Sequence, residues 1–200
     1  VGQGDAAVLH LPDGKTILVD GGPASSWFDA GDSVVAPYLH HKGVRTLDAV
    51  ILTHSHSDHV GGLAAILQAF HVHEVILSDS SSKSPVFRNF LSEAGKQRVP
   101  VRMITAPDSL VFKNVTLYLI SPDSLMVQDD NPNNQSVVTL ICYGQDRILL
   151  TGDAEVEAEM HMTRTIRPLQ ADLIKAGHHG SVTASSEAFR REAAEMVESA

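Results

Sequence analysis

Cysteine is almost absent from this sequence. Cys142 stands alone, so no intramolecular disulfide can form, and the compartment stays open because cytosolic proteins and many exterior bacterial domains share that lack. Aromatic residues are scarce too, at 5%. The single tryptophan, Trp27, falls in a Gly- and Pro-punctuated loop. No apolar run approaches the ~20 residues that a bilayer-spanning helix needs, and no secretory signal pattern opens the chain. Positive charge is in deficit: 15 Lys and Arg face 24 Asp and Glu, a formal net charge of −9. That balance argues against a nucleic-acid binder relying on overall electrostatic attraction. Divalent ions held by some of the 11 histidines would reverse the argument locally.

What is present suits one sizeable domain: 200 residues, 43% of them hydrophobic. The opening Val1-Gly2-Gln3-Gly4-Asp5 reads as a turn in progress, which implies a domain cut from a longer protein. Asp5–Leu11 and Lys15–Asp20 are strands joined by a hairpin turn at Pro12-Asp13-Gly14. A helix is predicted over Ser33–Lys42, ending at Gly43, then a strand over Leu47–Thr53. Leu63–Phe70 and Pro85–Gly95 read as helices, the second with Pro in its first turn. Further strands are predicted at Glu74–Leu77, Val101–Thr105, Leu110–Phe112, Val115–Ile120, Val137–Tyr143, Arg147–Thr151 and Asp172–Lys175, with a final helix from about Ser186. Cys142 is expected to be a buried strand residue. Early strands, alternating strand and helix, then late strands imply an α/β fold of two sheets with helices outside.

The densest chemistry is Thr53-His54-Ser55-His56-Ser57-Asp58-His59, directly after a buried strand. Imidazole nitrogen and carboxylate oxygen suit Zn²⁺ or Mn²⁺. His54 and His56, two apart in an extended segment, can aim at one ion. Asp58 and His59 lie past the bend towards Gly61-Gly62 and can face a second. A polar turn with surface histidines is the bland alternative, and the His-x-His-x-Asp-His order speaks against it. Asp20, in Ile17-Leu18-Val19-Asp20-Gly21-Gly22, and Asp153, in Leu149-Leu150-Thr151-Gly152-Asp153, each close a strand, where a turn-forming Asp is the ordinary reading. His10, His40, His41, His71, His73 and His161 read as surface or loop residues.

This run resembles the defining motif of the metallo-β-lactamase fold, and the remaining motifs follow the same order. The resemblance implies a four-layer αββα sandwich of two mixed sheets with outer helices. It implies two divalent ions, with Asp153 bridging them, His178 (of Ala176-Gly177-His178-His179-Gly180-Ser181) as the last ligand and Asp20 supporting the metal loop. His179 is then left as a proton donor or phosphate contact. The family's middle histidine has no counterpart here: His71 and His73 come too soon, and the region reads Asn131-Pro132-Asn133-Asn134-Gln135-Ser136. An oxygen-rich first site follows, which favours Mn²⁺ beside Zn²⁺. Asn134 and Ser136 then contact a phosphate oxygen or take the missing ligand's place, and Lys175 and Ser181 stand in reserve as leaving-group contacts.

Val1-Gly2-Gln3-Gly4-Asp5-Ala6, Asn133-Asn134-Gln135-Ser136-Val137-Val138 and His178-His179-Gly180-Ser181 narrow the likeness. Together they resemble the metallo-β-lactamase-fold domain of the ComEC family of bacterial DNA-uptake channels, over residues 1 to about 190. That implies hydrolysis of DNA without sequence preference, of the strand that is not imported. It further implies a soluble domain on the extracytoplasmic face of an inner-membrane protein, joined to its transmembrane channel part and making no lipid contact itself. Asp5 joins the residues that support the site. Alternatives are a small phosphodiester, a lactone, a thioester or a β-lactam as substrate, or a scaffold without catalysis. Apart from the resemblance, Lys83, Arg88, Lys96, Arg98 and Arg102 against Glu93 offer a place for backbone phosphates, or only a solvated helix face. Phe87 and Phe90 nearby read as core residues.

Overall fold

The structure, a computed structural model, describes residues 1–79, 81–166 and 169–194. Two compact units make up the chain, Val1–Ile104 and Thr105–Ala200. Each carries one five-stranded mixed sheet with helices.

The first unit contains β1 (Ala7–His10), β2 (Thr16–Val19), α1 (Ala36–His41), β3 (Thr46–Leu47), β4 (Ala49–Ile51), α2 (Ser57–Val60), α3 (Leu63–Ala69), β5 (His71–Val72), β6 (Val75–Leu77), α4 (Pro85–Lys96) and β7 (Val101–Met103). Its sheet order is β1-β2-β4-β6-β7. The hairpin partner β1 is antiparallel to β2, and the remaining pairs are parallel. All of β2, β4 and β6 is buried, the pattern of parallel strands covered on both faces. Leu18, Val50, Val75 and Leu77 join Leu39 of α1, Leu63, Ile66 and Leu67 of α3, and Phe87 and Phe90 of α4 in one core. Phe87 and Phe90, three apart on α4, are fully buried as the sequence predicts. Each contributes roughly 1.5–3 kcal/mol by leaving water.

The second unit contains β8 (Asp108–Phe112), β9 (Val115–Ser121), β10 (Val138–Tyr143), β11 (Asp146–Leu150), α5 (Val156–Thr165), β12 (Leu173–Lys175) and α6 (Glu187–Ala194). Its sheet runs β12-β11-β10-β9-β8; only β11 and β12 pair in parallel. The hairpin turned at Gly144 is present, with Tyr143 opposite Asp146. Val138 and Leu149 of the sheet pack with Ala158 and Met162 of α5 and Phe189 of α6. α5 fills a stretch to which the sequence reading assigns no element. Its buried residues are Ala158, Glu159 and Met162, too little apolar surface to mark a helical stripe. Cys142 differs from expectation as well: it is half-buried on β10, and burial still pushes its thiol pKa up.

Among the described residues no helix is long and apolar enough to cross a membrane.

Candidate metal centre

In the first unit, Val19 of β2 stands opposite Ile51 of β4. Parallel pairing therefore sends Asp20 and Thr53 out at the same end of the sheet, the carboxyl end where open α/β sheets bind ligands. Asp20 is buried and adopts φ 61°, a left-handed conformation that costs a non-glycine residue on the order of 1 kcal/mol. Its carboxylate repays the strain locally. Oδ1 accepts the Thr53 N–H at 2.8 Å, and Oδ2 accepts the Thr53 hydroxyl at 2.8 Å and lies 2.7 Å from Nδ1 of His59. A carboxylate accepts only, so Nδ1 of His59 carries the proton and Nε2 holds the lone pair. Thr53 does the same for His54: its Oγ stands 3.1 Å from His54 Nδ1. With the Thr53 proton committed to Asp20, the His54 ring donates through Nδ1 and turns Nε2 towards His56.

His54 Nε2 and His56 Nδ1 are 3.0 Å apart. Two nitrogens bound at ~2.1 Å to one tetrahedral ion stand roughly 3.4 Å apart, so the pair already converges as ligands do. Asp58 is the second residue of α2 and half-buried. The Asp58 carbonyl accepts the Asp5 N–H at 3.1 Å, and Gly22 N–H donates to the Asp5 carbonyl at 2.7 Å. Asp5 thus fastens the opening turn to both loops. Glycine makes the packing possible: a Cβ on Gly62 would stand 2.2 Å from the Gly21 carbonyl oxygen.

In the second unit, Leu150 pairs with Lys175, so the segments carrying Asp153 and His178 leave the sheet side by side. Asp153 is buried, and its N–H donates to Ser136 Oγ at 3.2 Å. Asn134 Oδ1 accepts the Glu155 N–H at 3.2 Å. Asn134 and Ser136, expected at a phosphate or in a ligand's place, are both buried with polar atoms on the backbone of the Asp153 loop. His178 and His179 both adopt left-handed backbone, φ 46° and 53°. The turn is closed by Ser181 N–H on the His178 carbonyl at 2.8 Å. Its effect is to aim both rings at one carboxylate: Nε2 of His178 and of His179 lie 3.9 and 3.5 Å from Asp153 Oδ2. Lys175 contributes its carbonyl, which accepts the Thr151 hydroxyl at 3.1 Å. Ser181 Oγ lies 3.0 Å from Thr183 Oγ1.

Glu155 is the residue that sequence reasoning missed. Its Oε1 is 3.0 Å from His178 Nδ1, as Asp20 is to His59. Asn133 and Asn131 each donate to it at 2.9 Å and Thr183 at 3.1 Å. Burial pushes its pKa up, but the hydrogen bonds from Asn133, Thr183 and Asn131 outweigh that and hold it below the usual carboxylate range. Glu155 therefore stays ionised, fixing Nε2 of His178 as the lone-pair nitrogen. The Asp153-x-Glu155 spacing was the available signal. Of the remaining histidines, His10, His40, His41, His71 and His73 are exposed as expected. His161 instead sits on α5 with Nε2 2.5 Å from Asp123. In the basic stretch, Lys96 pairs with Glu93 and Arg102 with Glu74, and Lys83, Arg88, Lys96 and Arg98 are exposed.

Imidazoles with neighbour-set tautomers, beside carboxylates, are a donor set that fits divalent metal ions. Comparison with known proteins agrees. The family model of the Metallo-beta-lactamase superfamily matches residues 1–195. ComE operon protein 3 of Bacillus subtilis is 30% identical, matching 94% of this chain and 26% of its own length. Recombination protein 2 of Haemophilus influenzae is 32% identical over 94% of this chain and 21% of its own. The chain thus spans about a quarter of these curated relatives. Among solved structures, the Rm3 metallo-beta-lactamase superposes with a TM-score of 0.59 at 14% identity, covering 94% of this chain and 82% of that one. The resemblance to ComEC-type competence proteins holds, and the fold is that of the wider family. By its match from end to end, the chain belongs to the Metallo-beta-lactamase superfamily.

Proposed function

We propose that this chain is a metal-dependent phosphodiesterase that cuts DNA, acting as a single hydrolase domain of a larger membrane protein of DNA uptake. The observation that carries the reading is the convergence of His54 Nε2 and His56 Nδ1 at 3.0 Å, beside a His59 whose tautomer Asp20 sets. Similarity to competence proteins over nearly the whole chain supports DNA as the substrate, and the reading puts the domain on the extracytoplasmic side. His54, His56, Asp58, His59, Asp153 and His178 are the residues that would hold two divalent ions, Mn²⁺ favoured by the oxygen-rich donor set and Zn²⁺ the alternative. Bound ions supply Lewis acidity: they lower the pKa of coordinated water towards neutrality and neutralise charge on phosphate oxygens.

The protein's own groups do the rest. Asp58 accepts a hydrogen bond from the attacking water and orients it. Asp20 and Glu155 keep the His59 and His178 rings in one tautomer, so that no reorganisation is needed during turnover. His179 delivers a proton to the leaving oxygen; its Nε2 lies 3.5 Å from the Asp153 carboxylate. Lys175 and Ser181 are the reserve contacts for that oxygen. Contacts go to phosphates rather than to base edges, so cutting is independent of sequence.

The test is hydrolysis of labelled single- and double-stranded DNA with Mn²⁺, Zn²⁺, Mg²⁺ or chelator, beside thioester, lactone and β-lactam substrates. Metal-dependent cutting of DNA that Asp153→Ala abolishes is the expected result, with His179→Ala reduced on the order of 10²-fold. Turnover of a lactone or thioester, with DNA left intact, would transfer the site to that substrate class.

A further inference from the structure

We propose that Trp27 is a stacking platform for an unpaired base of the strand being cut; this rests on the phosphodiesterase reading and says how the same site grips its substrate. Trp27 is the single tryptophan and 88% exposed, with Phe28 beside it at 37%. Tryptophan is on average highly buried in folded proteins, and nothing in its own turn calls for an indole.

The turn is closed without the Trp27 side chain. Ala24 bridges to Asp29. The Ser25 N–H donates to the Phe28 carbonyl at 2.7 Å, and the Ala30 N–H donates to the Pro23 carbonyl at 2.9 Å. Ser25 Oγ accepts the N–H groups of Phe28 and Trp27 at 3.2 and 3.4 Å. The ring is therefore carried outward on an ordered tip, and little backbone freedom is lost when something stacks on it.

The same turn is seated on the metal loop by backbone contact. A Cβ on Gly61 would stand 2.3 Å from Ala24 N and 2.7 Å from Pro23 C; one on Gly4 would stand 2.5 Å from the Asp58 carbonyl oxygen and 2.8 Å from Pro23 Cδ. Gly61 follows His59-Val60 directly, so the indole projects from a segment packed against the metal-loop backbone. An uncharged flat ring beside a phosphate-cutting loop offers a π-face that suits a base and no charge that would hold a phosphate. Every base has a π-face, so such a contact ignores sequence, as the phosphodiesterase reading requires. It also attracts without charge, which matters in a chain of net charge −9.

Trp27 reports on itself, since its fluorescence is the whole tryptophan signal of the chain. Titration with single-stranded oligo(dT) should quench it saturably, and an abasic oligonucleotide of equal length should not. Trp27→Ala should raise the KM for base-bearing DNA, relative to that for the abasic strand, roughly 5- to 150-fold, the worth of one stacked base. Trp27→Phe should recover most of that ratio. Unchanged fluorescence at oligonucleotide concentrations that saturate hydrolysis, or an unchanged ratio in Trp27→Ala with DNA still cut, would overturn the platform and leave the nuclease standing. Base-dependent quenching with no cutting under any metal would support the platform and overturn the nuclease.

Discussion

Asp20 carries more of the site than its size suggests. One carboxylate takes three donors: the Thr53 N–H, the Thr53 hydroxyl and, through Oδ2, the Nδ1 side of His59. Replacing it with Asn substitutes an amide for one of the two oxygens and removes the charge that fixes the His59 tautomer. Asp20→Asn should lower metal affinity about 10- to 100-fold, measured by competition with a chromophoric chelator; affinity equal to the parent would remove Asp20 from the support of the metal loop. A different residue sets an acid limit. Burial pushes the Asp123 carboxyl up, but hydrogen bonds from the Met126 and Leu125 N–H groups and from His161 hold it below the usual range. Its contribution is then complete above the unfolded pKa, ~3.9, and is lost as pH falls through the lower folded value. Asp123→Asn should flatten the fall in stability across that acid window, read from denaturant midpoints at successive pH values. An unchanged slope would contradict it. At this scale the sequence was legible where partners are neighbours: His54, His56, Asp58 and His59 lie within one turn of chain. Glu155 was not, because its partners Asn131, Asn133, Thr183 and His178 come from two other segments that only the fold assembles.

The elements themselves were mostly legible, and the exceptions have a physical cause. β2, β4 and β6 carry continuous apolar runs ended by Asp20, Thr53 and Ser78, and their buried faces leave no ambiguity about strand. α4 announces itself by Pro85 at its start and by Phe87 and Phe90 on one face. α5 stays hidden because one of its three buried residues is Glu159. That carboxylate earns its burial by accepting the Ser185 and Ser186 N–H groups at 2.5 and 2.9 Å, at the entry to α6. A buried acid at a helix start cannot be told from an exposed one in sequence, where it reads as polar. Glu159→Ala removes both bonds and leaves two donors without an acceptor, each worth ~1–3 kcal/mol. The expected loss is about 2–5 kcal/mol in urea denaturation. A variant within 0.5 kcal/mol of the parent, on the order of a neutral surface change, would show that the cap contributes nothing.

For the whole molecule, chemistry and electrostatics have to be reconciled. On the proposed reading, a chain of net charge −9 that acts on a polyanion would need a local source of positive charge, and in the stretch from Lys83 to Arg102 two cations pair with Glu93 and Glu74. Divalent ions held by the proposed histidine and aspartate ligands would supply it where a phosphate would sit. Family membership rests on the match across residues 1–195, whereas substrate and location rest on relatives four times as long as this chain. The metal is thus the claim on which everything else in the account depends. It is tested most directly by equilibrium dialysis against Mn²⁺ or Zn²⁺ followed by elemental analysis of the protein. The account predicts two ions per chain, falling in His56→Ala and in Asp153→Ala with the fold retained by circular dichroism. A folded parent that binds no ion, or variants that bind as many as the parent, would contradict it.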